Sequence, residues 1–424
     1  MASSRVLAAF TVDGGGTVVV SGTNTFTGGV VILGGSVVSV SADLNLGAAP
    51  SVYVPGYVQI VESTLLVTSS FTIDPERGIF VGGTSGLSYG TVSVMPGVVF
   101  VVGSVFDDNG TSTSGIFVTG GGTFVVTAVN LYSGSTVIVD STVQVSSDVN
   151  LGTAPLVFTA GHLIIDGGTL FATSTFTVDA NRGILIGDSV VVGTGSFWVE
   201  SSVVLTVASV IDDNGTGDDG LVKVGPGELK LDGANAYEGT TDVDQGTLNV
   251  VGSTTSDTEA NSGSTIAGTG DVNGTLTTSS ANVLPGTSPG ILSTDSVTFD
   301  NGSTFGVEIG GATPGNGATN HDQLNVTGTV ALGGATLSLG QFNGFVPTNG
   351  QTFVIINNDS NDTVTGTFNG LAQGGSISNF LGSGLTAIIS YAGGTGNDVV
   401  LTAFAPRPSR VSIRHPAQRR AVTA

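Results

Sequence analysis

Two pairs of adjacent aspartates are the residues of this sequence best suited to acid–base chemistry. Asp107 and Asp108 form the first pair, Asp212 and Asp213 form the second, and each pair is followed by Asn-Gly. Glycosidases cleave sugar chains with two carboxyl groups that flank the scissile bond. Adjacent residues of a strand point to opposite faces, so the two side chains of a pair do not converge by themselves. Their recurrence before the same Asn-Gly favours two structural turns over a catalytic site.

Residues 286–290 read Gly-Thr-Ser-Pro-Gly, which matches the pattern that carries the nucleophilic serine of many hydrolases. The residue after that serine should donate its backbone N–H to the oxyanion hole, and here it is Pro289, which has none. The sequence offers only His162, His321 and His415 as histidine bases. We therefore predict a turn at residues 286–290 and no catalytic residue.

Residues 393–401 fit the calcium nonapeptide G-G-x-G-x-D-x-U-x, with Asp398 as its carboxylate. Calcium requires several oxygen ligands, and in such proteins it lies between successive copies of the motif, whereas this sequence has one copy. We therefore predict a plain turn before a final strand. Asp398 remains a weak calcium candidate, and we expect neither a metal nor another cofactor.

Asp74 with Arg77, and Asp179 with Arg182, are spaced for local ion pairs that would brace equivalent turns. Most aromatic residues are predicted to pack inside the fold. Trp198, next to Phe197, is the best carbohydrate platform that the sequence offers.

These motifs lie in a repeat of about one hundred residues. Asp43 corresponds to Asp148, and Asp74 corresponds to Asp179, each 105 residues further along the chain. A third copy begins near residue 221. Self-similarity at a fixed period indicates a stacked array whose units contact their neighbours.

Composition and patterning predict that the stacked units are β-strands. The chain has 67 glycines and only 10% charged residues, and its short Val-rich and Ile-rich runs alternate with turn residues. No stretch has the apolar spacing of a helix. We predict a parallel β-helix of 16 to 20 coils, each of about 20–25 residues, which would be roughly 80–95 Å long. An array of antiparallel β-sandwiches is the alternative.

Residues 221–250 closely resemble the autotransporter-associated β-strand repeat, or passenger-associated transport repeat, in their Gly, Asn and aromatic spacing. Degenerate copies lie at 14–40 and 120–145, and the resemblance extends over residues 12–402. It implies the right-handed β-helical passenger of a bacterial surface or secreted protein, a group that includes many adhesins. No strands of an outer-membrane barrel are evident after Leu401, so we expect a passenger-like region without a translocator.

This interpretation divides the chain into four segments. They are an N-terminal lead or cap (1–11), a β-helix (12–279, in units 12–117, 118–220 and 221–279), a β-rich C-terminal segment that continues or caps the helix (280–402), and a disordered basic tail (403–424).

The charge distribution restricts the partners. The net charge is −22, and five of the ten basic residues lie after Phe404, so the body before the tail carries −27. Such a body repels nucleic acids and anionic membranes. We expect no membrane-spanning segment, and the start of the chain shows no clear signal peptide. The absence of cysteine excludes disulfides.

The sequence therefore predicts a non-enzymatic, extracellular or cell-surface protein with a structural or adhesive role. Surface glycans or other cells are the expected partners. A polysaccharide lyase or glycosidase on the same scaffold is the alternative, which a convergent cluster of carboxylates would favour. A calcium-stabilised secreted module is a third hypothesis.

Overall fold

The fold is built almost entirely from short β-strands. The computed structural model describes residues 8–83, 86–110, 113–215, 217–359 and 362–406. Within these ranges it has 42 strands and three short 3₁₀ helices, at Asp43–Leu46, Asp148–Leu151 and Phe380–Gly382, and no α-helix. None of these helices is long or apolar enough to cross a membrane.

The strands belong to four sheets, which we number in the order in which the chain first enters them. Sheet 1 contains Phe10–Val12, Val30–Ile32, Val54–Ile60, Arg77–Val81 and Phe106–Asp108. Sheet 2 contains Gly16–Val19, Ser36–Val40, Thr64–Val67, Leu87–Val94, Thr113–Thr119, Thr136–Val139, Thr159–Asp166, Arg182–Ile186 and Ile211–Asp213. Sheet 3 contains Phe71–Ile73, Val99–Val102, Thr123–Val126, Thr142–Val145, Thr169–Ala172, Thr194–Val199, Gly220–Val224, Thr241–Val243, Ser253–Thr254, Thr258–Ala260, Asp271–Thr278, Ile291–Thr298, Gln323–Val326, Val330–Ala331, Thr352–Asn358, Ser376–Ile377, Thr386–Gly393 and Asp398–Phe404. Sheet 4 contains Phe176–Val178, Val204–Val207, Glu228–Leu231, Thr247–Val250, Thr265–Gly268, Asn282–Pro285, Thr304–Ile309, Thr313–Pro314, Asn320–His321 and Thr336–Gln341.

Parallel, in-register pairing between successive circuits of the chain creates the core. Val38 pairs with Leu65, Leu65 with Val92, and Val92 with Val118, and all four side chains are fully buried. Because side chains alternate between the two faces of a strand, the residues between them face outward. The predicted all-β fold with parallel stacking is confirmed, and the antiparallel sandwich array is not what the strands form.

We call the set of strands at one height of the stack a level. The number of residues in one level varies. A short stretch of chain separates the paired residues Thr241 and Thr258, whereas a long stretch separates the paired residues Leu292 and Leu324. This variation is wider than the sequence predicts. The described residues form 15 levels between Phe10–Val12 and Thr352–Asn358. At about 4.8 Å per level the stack is about 67 Å long, which is shorter than predicted.

The 105-residue repeat does not return the chain to the same sheet. The strand Thr64–Val67 lies in sheet 2, whereas its equivalent in the next repeat, Thr169–Ala172, lies in sheet 3. Each repeat therefore advances the chain by four levels and by one sheet around the stack. Equivalent residues of successive repeats consequently occupy different sides of the molecule.

The stack changes character near its C-terminal end. Parallel pairing continues without a break past residue 280, up to Thr352–Asn358. That strand then pairs antiparallel with Asp398–Phe404, which also pairs antiparallel with Thr386–Gly393. The last strand reaches Phe404, two residues into the segment predicted to be disordered. The rest of that predicted tail, from residue 407, and residues 1–7 of the predicted lead lie outside the described residues.

Candidate functional site

The second aspartate of each adjacent pair bonds to loop backbone. Asp108 accepts the N–H of Ser114 at 2.9 Å and the hydroxyl of Ser133 at 2.6 Å. Asp213 accepts the N–H of Asp219 at 3.0 Å and that of Glu238 at 3.2 Å. These carboxylates fix the ends of neighbouring loops, in the same way in both repeats. This geometry supports the structural interpretation of both pairs.

The repeated arginines form ion pairs with other partners than the sequence predicts. Arg77 binds Asp43, 34 residues earlier, with Nε at 2.9 Å from Oδ1 and Nη2 at 3.0 Å from Oδ2. Arg182 binds Asp148 in the same bidentate manner, at 3.1 and 3.2 Å. Both arginine side chains are completely buried. The predicted pairs of Asp74 with Arg77 and of Asp179 with Arg182 are therefore wrong.

Each arginine also closes the 3₁₀ helix on the level below it. Arg182 donates to the carbonyls of Leu151 and Gly152, both at 3.0 Å. Its Nη1 lies 2.9 Å from Nδ1 of His162, which accepts because burial and the adjacent guanidinium lower the pKa of that imidazole. In the first repeat Tyr57 takes this place, with its ring 5.2 Å from the guanidinium of Arg77. The arginines are thus structural residues.

The serine motif forms a turn that carries no catalytic arrangement. Ser288 has a left-handed backbone, with φ of 89°. The ring nitrogens of His321 lie 3.0 and 3.1 Å from the carbonyls of Gly311 and Val354, so this buried imidazole bonds to backbone rather than to a hydroxyl. Burial lowers the pKa of His321.

A cleft of about 380 Å³ lies beside this turn. Asp322 lines it and is almost completely buried, and its carboxylate accepts the N–H groups of Gly290 at 2.7 Å and Glu308 at 2.6 Å. Burial raises the pKa of Asp322 to about 7, although both hydrogen bonds oppose the shift. Through these two hydrogen bonds Asp322 links the turn to the strand Thr304–Ile309, so this carboxylate has a structural role.

Asp398 is engaged by backbone groups. One carboxylate oxygen accepts the N–H of Asn358 at 2.9 Å, and the other accepts the N–H of Thr395 at 3.1 Å. Among the described residues no group of three or more His, Asp and Glu side chains is arranged to hold a metal. The calcium role of Asp398 is left without structural support, and its geometry is that of a turn residue.

An open polar groove of about 440 Å³ crosses four strands of sheet 3. In one register column Asp271 pairs with Ser293, Ser293 with Asn325, and Asn325 with Asn357. The remaining polar lining is Asn273, Thr294, Asp295, Thr327 and Asp359. The sequence did not reveal this groove, because its members are far apart along the chain and only the register of the levels brings them together.

A pair of aromatic side chains forms the second surface feature of sheet 3. Phe197 points into the core and is fully buried, whereas Trp198 is 45% exposed. The partner of Trp198 is Phe171, the in-register residue on the preceding level, with ring centroids 5.0 Å apart. The sequence singled out Trp198 but missed Phe171, although both share the position after the buried Leu170 or Phe197 of their strands.

An asparagine and a tyrosine recur at equivalent positions of the second and third repeats, and the structure shows what they contact. Asn235 accepts the backbone N–H of Ile211 at 3.0 Å and donates to the carbonyl of Ser253 at 3.0 Å, which links three levels. The buried hydroxyl of Tyr237 lies 2.7 Å from that of Thr241. Asn130 and Tyr132 make equivalent bonds in the preceding repeat.

Comparison with known protein families agrees with these repeated contacts. The passenger-associated-transport-repeat family model matches residues 10–38, 118–145 and 221–250. Three passenger-associated transport repeats lie in this chain. They coincide with the three starts found in the sequence, which confirms that resemblance.

In the third matched segment, residues 221–250, a lysine is buried and its ammonium bonds to backbone carbonyls. The ammonium of Lys223 donates to the carbonyls of Val224, Gly225 and Gln245 at 2.7–3.0 Å. Burial lowers the pKa of Lys223 to about 8.

Two relatives share segments with this chain. The adhesin BmaC autotransporter of Brucella suis biovar 1 (strain 1330) is 33% identical over 132 residues, which are 31% of this chain and 3% of the relative. The extracellular serine protease of Serratia marcescens is 38% identical over 96 residues, which are 22% of this chain and 9% of the relative. The chain thus matches only a small part of either relative.

Proposed function

We propose that this chain is a right-handed parallel β-helix that acts, without catalysis, as an adhesive or structural rod on a cell surface or outside the cell. The observation that carries the proposal is the continuous parallel stack that includes three passenger-associated transport repeats. The likeness to part of an adhesin autotransporter supports it. The second aspartates of the repeated pairs, Asp108 and Asp213, bind loop backbone, which supports a non-enzymatic role for these residues.

In this proposal the β-helix of residues 12–279 and the segment 280–402 form one rod. Parallel pairing across residue 280 supports the continuity. The antiparallel strands Thr386–Gly393 and Asp398–Phe404 would then cap the rod, because they leave no parallel edge for a further level to join.

The location can be tested on intact cells that express the gene. An antibody against this chain should label intact cells or precipitate the chain from the culture medium. Labelling that appears only after the cells are lysed would contradict a surface or secreted rod. A cytoplasmic protein detected in the same samples controls for leakage.

A carbohydrate-active enzyme is the second candidate, and the groove on sheet 3 is the observation that favours it. Asp271, Asp295 and Asp359 all line this groove, and two convergent carboxylates are what glycosidases use. The enzyme hypothesis predicts new reducing ends from a polysaccharide and their loss in Asp295→Asn, which keeps the shape of the side chain. The rod proposal predicts no new ends with either protein.

A further inference from the structure

We propose that the outer surface of sheet 3 around Phe171 and Trp198 binds a neutral, β-linked polysaccharide. This inference rests on the adhesive function proposed above and assigns it a site and a ligand class. Its basis is a stacked aromatic pair, flanked by a column of hydroxyl groups, on a surface that nothing in the fold requires to be aromatic.

The two rings form one continuous platform. Phe171 is half-buried and Trp198 is exposed, and their ring planes are 32° apart at a centroid distance of 5.0 Å. Aromatic faces bind the apolar C–H faces of sugar rings, and Trp offers the largest such face together with an N–H donor. The indole N–H of Trp198 makes no hydrogen bond to the described residues, and the edge of the ring that carries it lies beside Gly225.

The indole is held in place along its Cδ1–Nε1 edge. Gly225 lies against it with φ of 78°, and a Cβ at that position would come within 2.4 Å of the indole Cδ1. The ring is thus confined between Phe171 and the backbone of the next level. A confined ring loses little conformational entropy when a ligand binds, which favours recognition.

Hydroxyl groups run beside the platform at the same spacing as the levels. Thr142, Thr169 and Ser196 are in register with one another and face the same side as the aromatic pair. Gln144 is the in-register neighbour of Phe171 on the preceding level, so a polar side chain lies next to the aromatic pair. None of these four side chains makes a hydrogen bond to the described residues. They present donors and acceptors about 4.8 Å apart, close to one sugar ring per level.

The charges around the platform select a neutral ligand. The hydroxyl column continues through Val222 to Asp242 and Glu259, which lie side by side in register. The body of the chain carries a net charge of −27. An anionic polysaccharide or an acidic protein segment would be repelled here, whereas a neutral glycan would not.

The first repeat shows that the fold does not require the aromatic pair. The positions of Phe171 and Trp198 correspond to Leu66 and Ser93, which pair in the same register. The hydroxyl column is retained there, since Thr169 and Ser196 correspond to Thr64 and Thr91. The same strands therefore form with and without aromatic residues, so the pair is an addition to one surface.

The chain provides its own reporter for the test, since Trp198 is its only tryptophan. Its fluorescence should change saturably with cellohexaose or hexa-N-acetylchitohexaose, which are neutral and β-linked. It should not change with maltohexaose, which is α-linked, or with hexagalacturonate, which is anionic. An unchanged spectrum with all four ligands would overturn the proposal.

Two variants with the first repeat's residues locate the site without changing the strand pattern. Phe171→Leu keeps the reporter and should weaken binding about tenfold, which corresponds to about 1.4 kcal/mol. A neutral, β-linked polysaccharide in a native gel should slow the migration of the wild-type protein. Trp198→Ser should abolish this retardation. Asp295→Asn, in the groove, should leave the retardation unchanged.

Other outcomes separate this site from the adhesive function. Full retardation of Trp198→Ser, or its loss in Asp295→Asn, would overturn the aromatic site in favour of the groove. If the wild-type protein binds cells but none of the neutral polysaccharides, the glycan site is wrong while the adhesive function stands. Circular dichroism of each variant confirms that its strands are intact.

Discussion

At the scale of single residues, a buried arginine joins two levels in each of the first two repeats. The guanidinium of Arg182 is shielded from solvent, and its charge is balanced by Asp148, by carbonyl groups and by the neutral His162. Removing one partner of a buried pair leaves the other charge uncompensated, which is costly. These residues therefore contribute to stability more than their surface counterparts do.

We expect Arg182→Met to lower the free energy of unfolding by about 3–5 kcal/mol. The matched control is Lys230→Met, because Lys230 pairs with Asp232 at 2.9 Å while both side chains are about one-third exposed. Such exposed pairs contribute at most about 1 kcal/mol. Urea unfolding followed by circular dichroism measures both, and equal losses would contradict a structural role for the buried arginine.

Asp322 makes a prediction about pH. Its folded pKa, about 7, lies above the usual carboxyl value, so the folded state holds its proton more tightly than the unfolded state. The stabilisation by this group is complete at acidic pH and is lost as the pH rises toward 7. In Asp322→Asn, this contribution to the loss of stability with rising pH should be absent.

The difference between the two pH profiles isolates Asp322 from other titrating groups. His162 and His321 have lowered pKa values and act in the opposite direction, because they destabilise the fold as the pH falls. They are present in both proteins and cancel. The difference in melting temperature between the two proteins should therefore change between pH 4 and pH 8, and parallel profiles would refute the assignment.

At the scale of elements, glycine turns allow neighbouring levels to approach. Gly268 has φ of 122°, and a Cβ there would come within 1.9 Å of the carbonyl oxygen of Val250. Gly263 also has a positive φ, 83°, but a Cβ there would meet nothing within 4 Å. The two positions separate the cost of backbone strain from the cost of a clash between levels.

We expect Gly263→Ala to cost roughly 1–2 kcal/mol, from the positive φ alone. Gly268→Ala should cost clearly more, since the strands Thr247–Val250 and Thr265–Gly268 must move apart. Hydrogen exchange should show lost protection in these two strands and retained protection in distant levels, because levels contact only their neighbours. Equal losses in the two variants would mean that the levels are not as closely packed as described.

Sequence periodicity predicted the elements better than their contacts. Alternation within runs such as Thr64–Val67 is enough to assign short half-buried strands, and the 105-residue period indicates stacking. Neither reveals that Arg77 reaches Asp43, because the length of chain in each level varies with its loops. The pairing of Phe171 with Trp198 depends on the same variable register, which explains why the sequence yielded only one member of the pair.

At the scale of the whole molecule, the 105-residue period places equivalent strands of successive repeats in different sheets. Because each repeat advances by one sheet, equivalent residues face different sides, and one repeat can carry a surface feature that its neighbour lacks. The aromatic pair of the second repeat, and the groove that begins at the end of the third unit, both lie on sheet 3. A uniform core thus supports different outer surfaces.

The central claim is that this rod holds a ligand without altering it. The most direct test incubates the purified chain with a panel of polysaccharides and records, in the same samples, retention on each polymer and the release of new sugar ends. We predict retention on a neutral, β-linked polymer with no new ends. New ends that disappear on substitution of a single Asp or Glu would contradict the account and establish an enzyme.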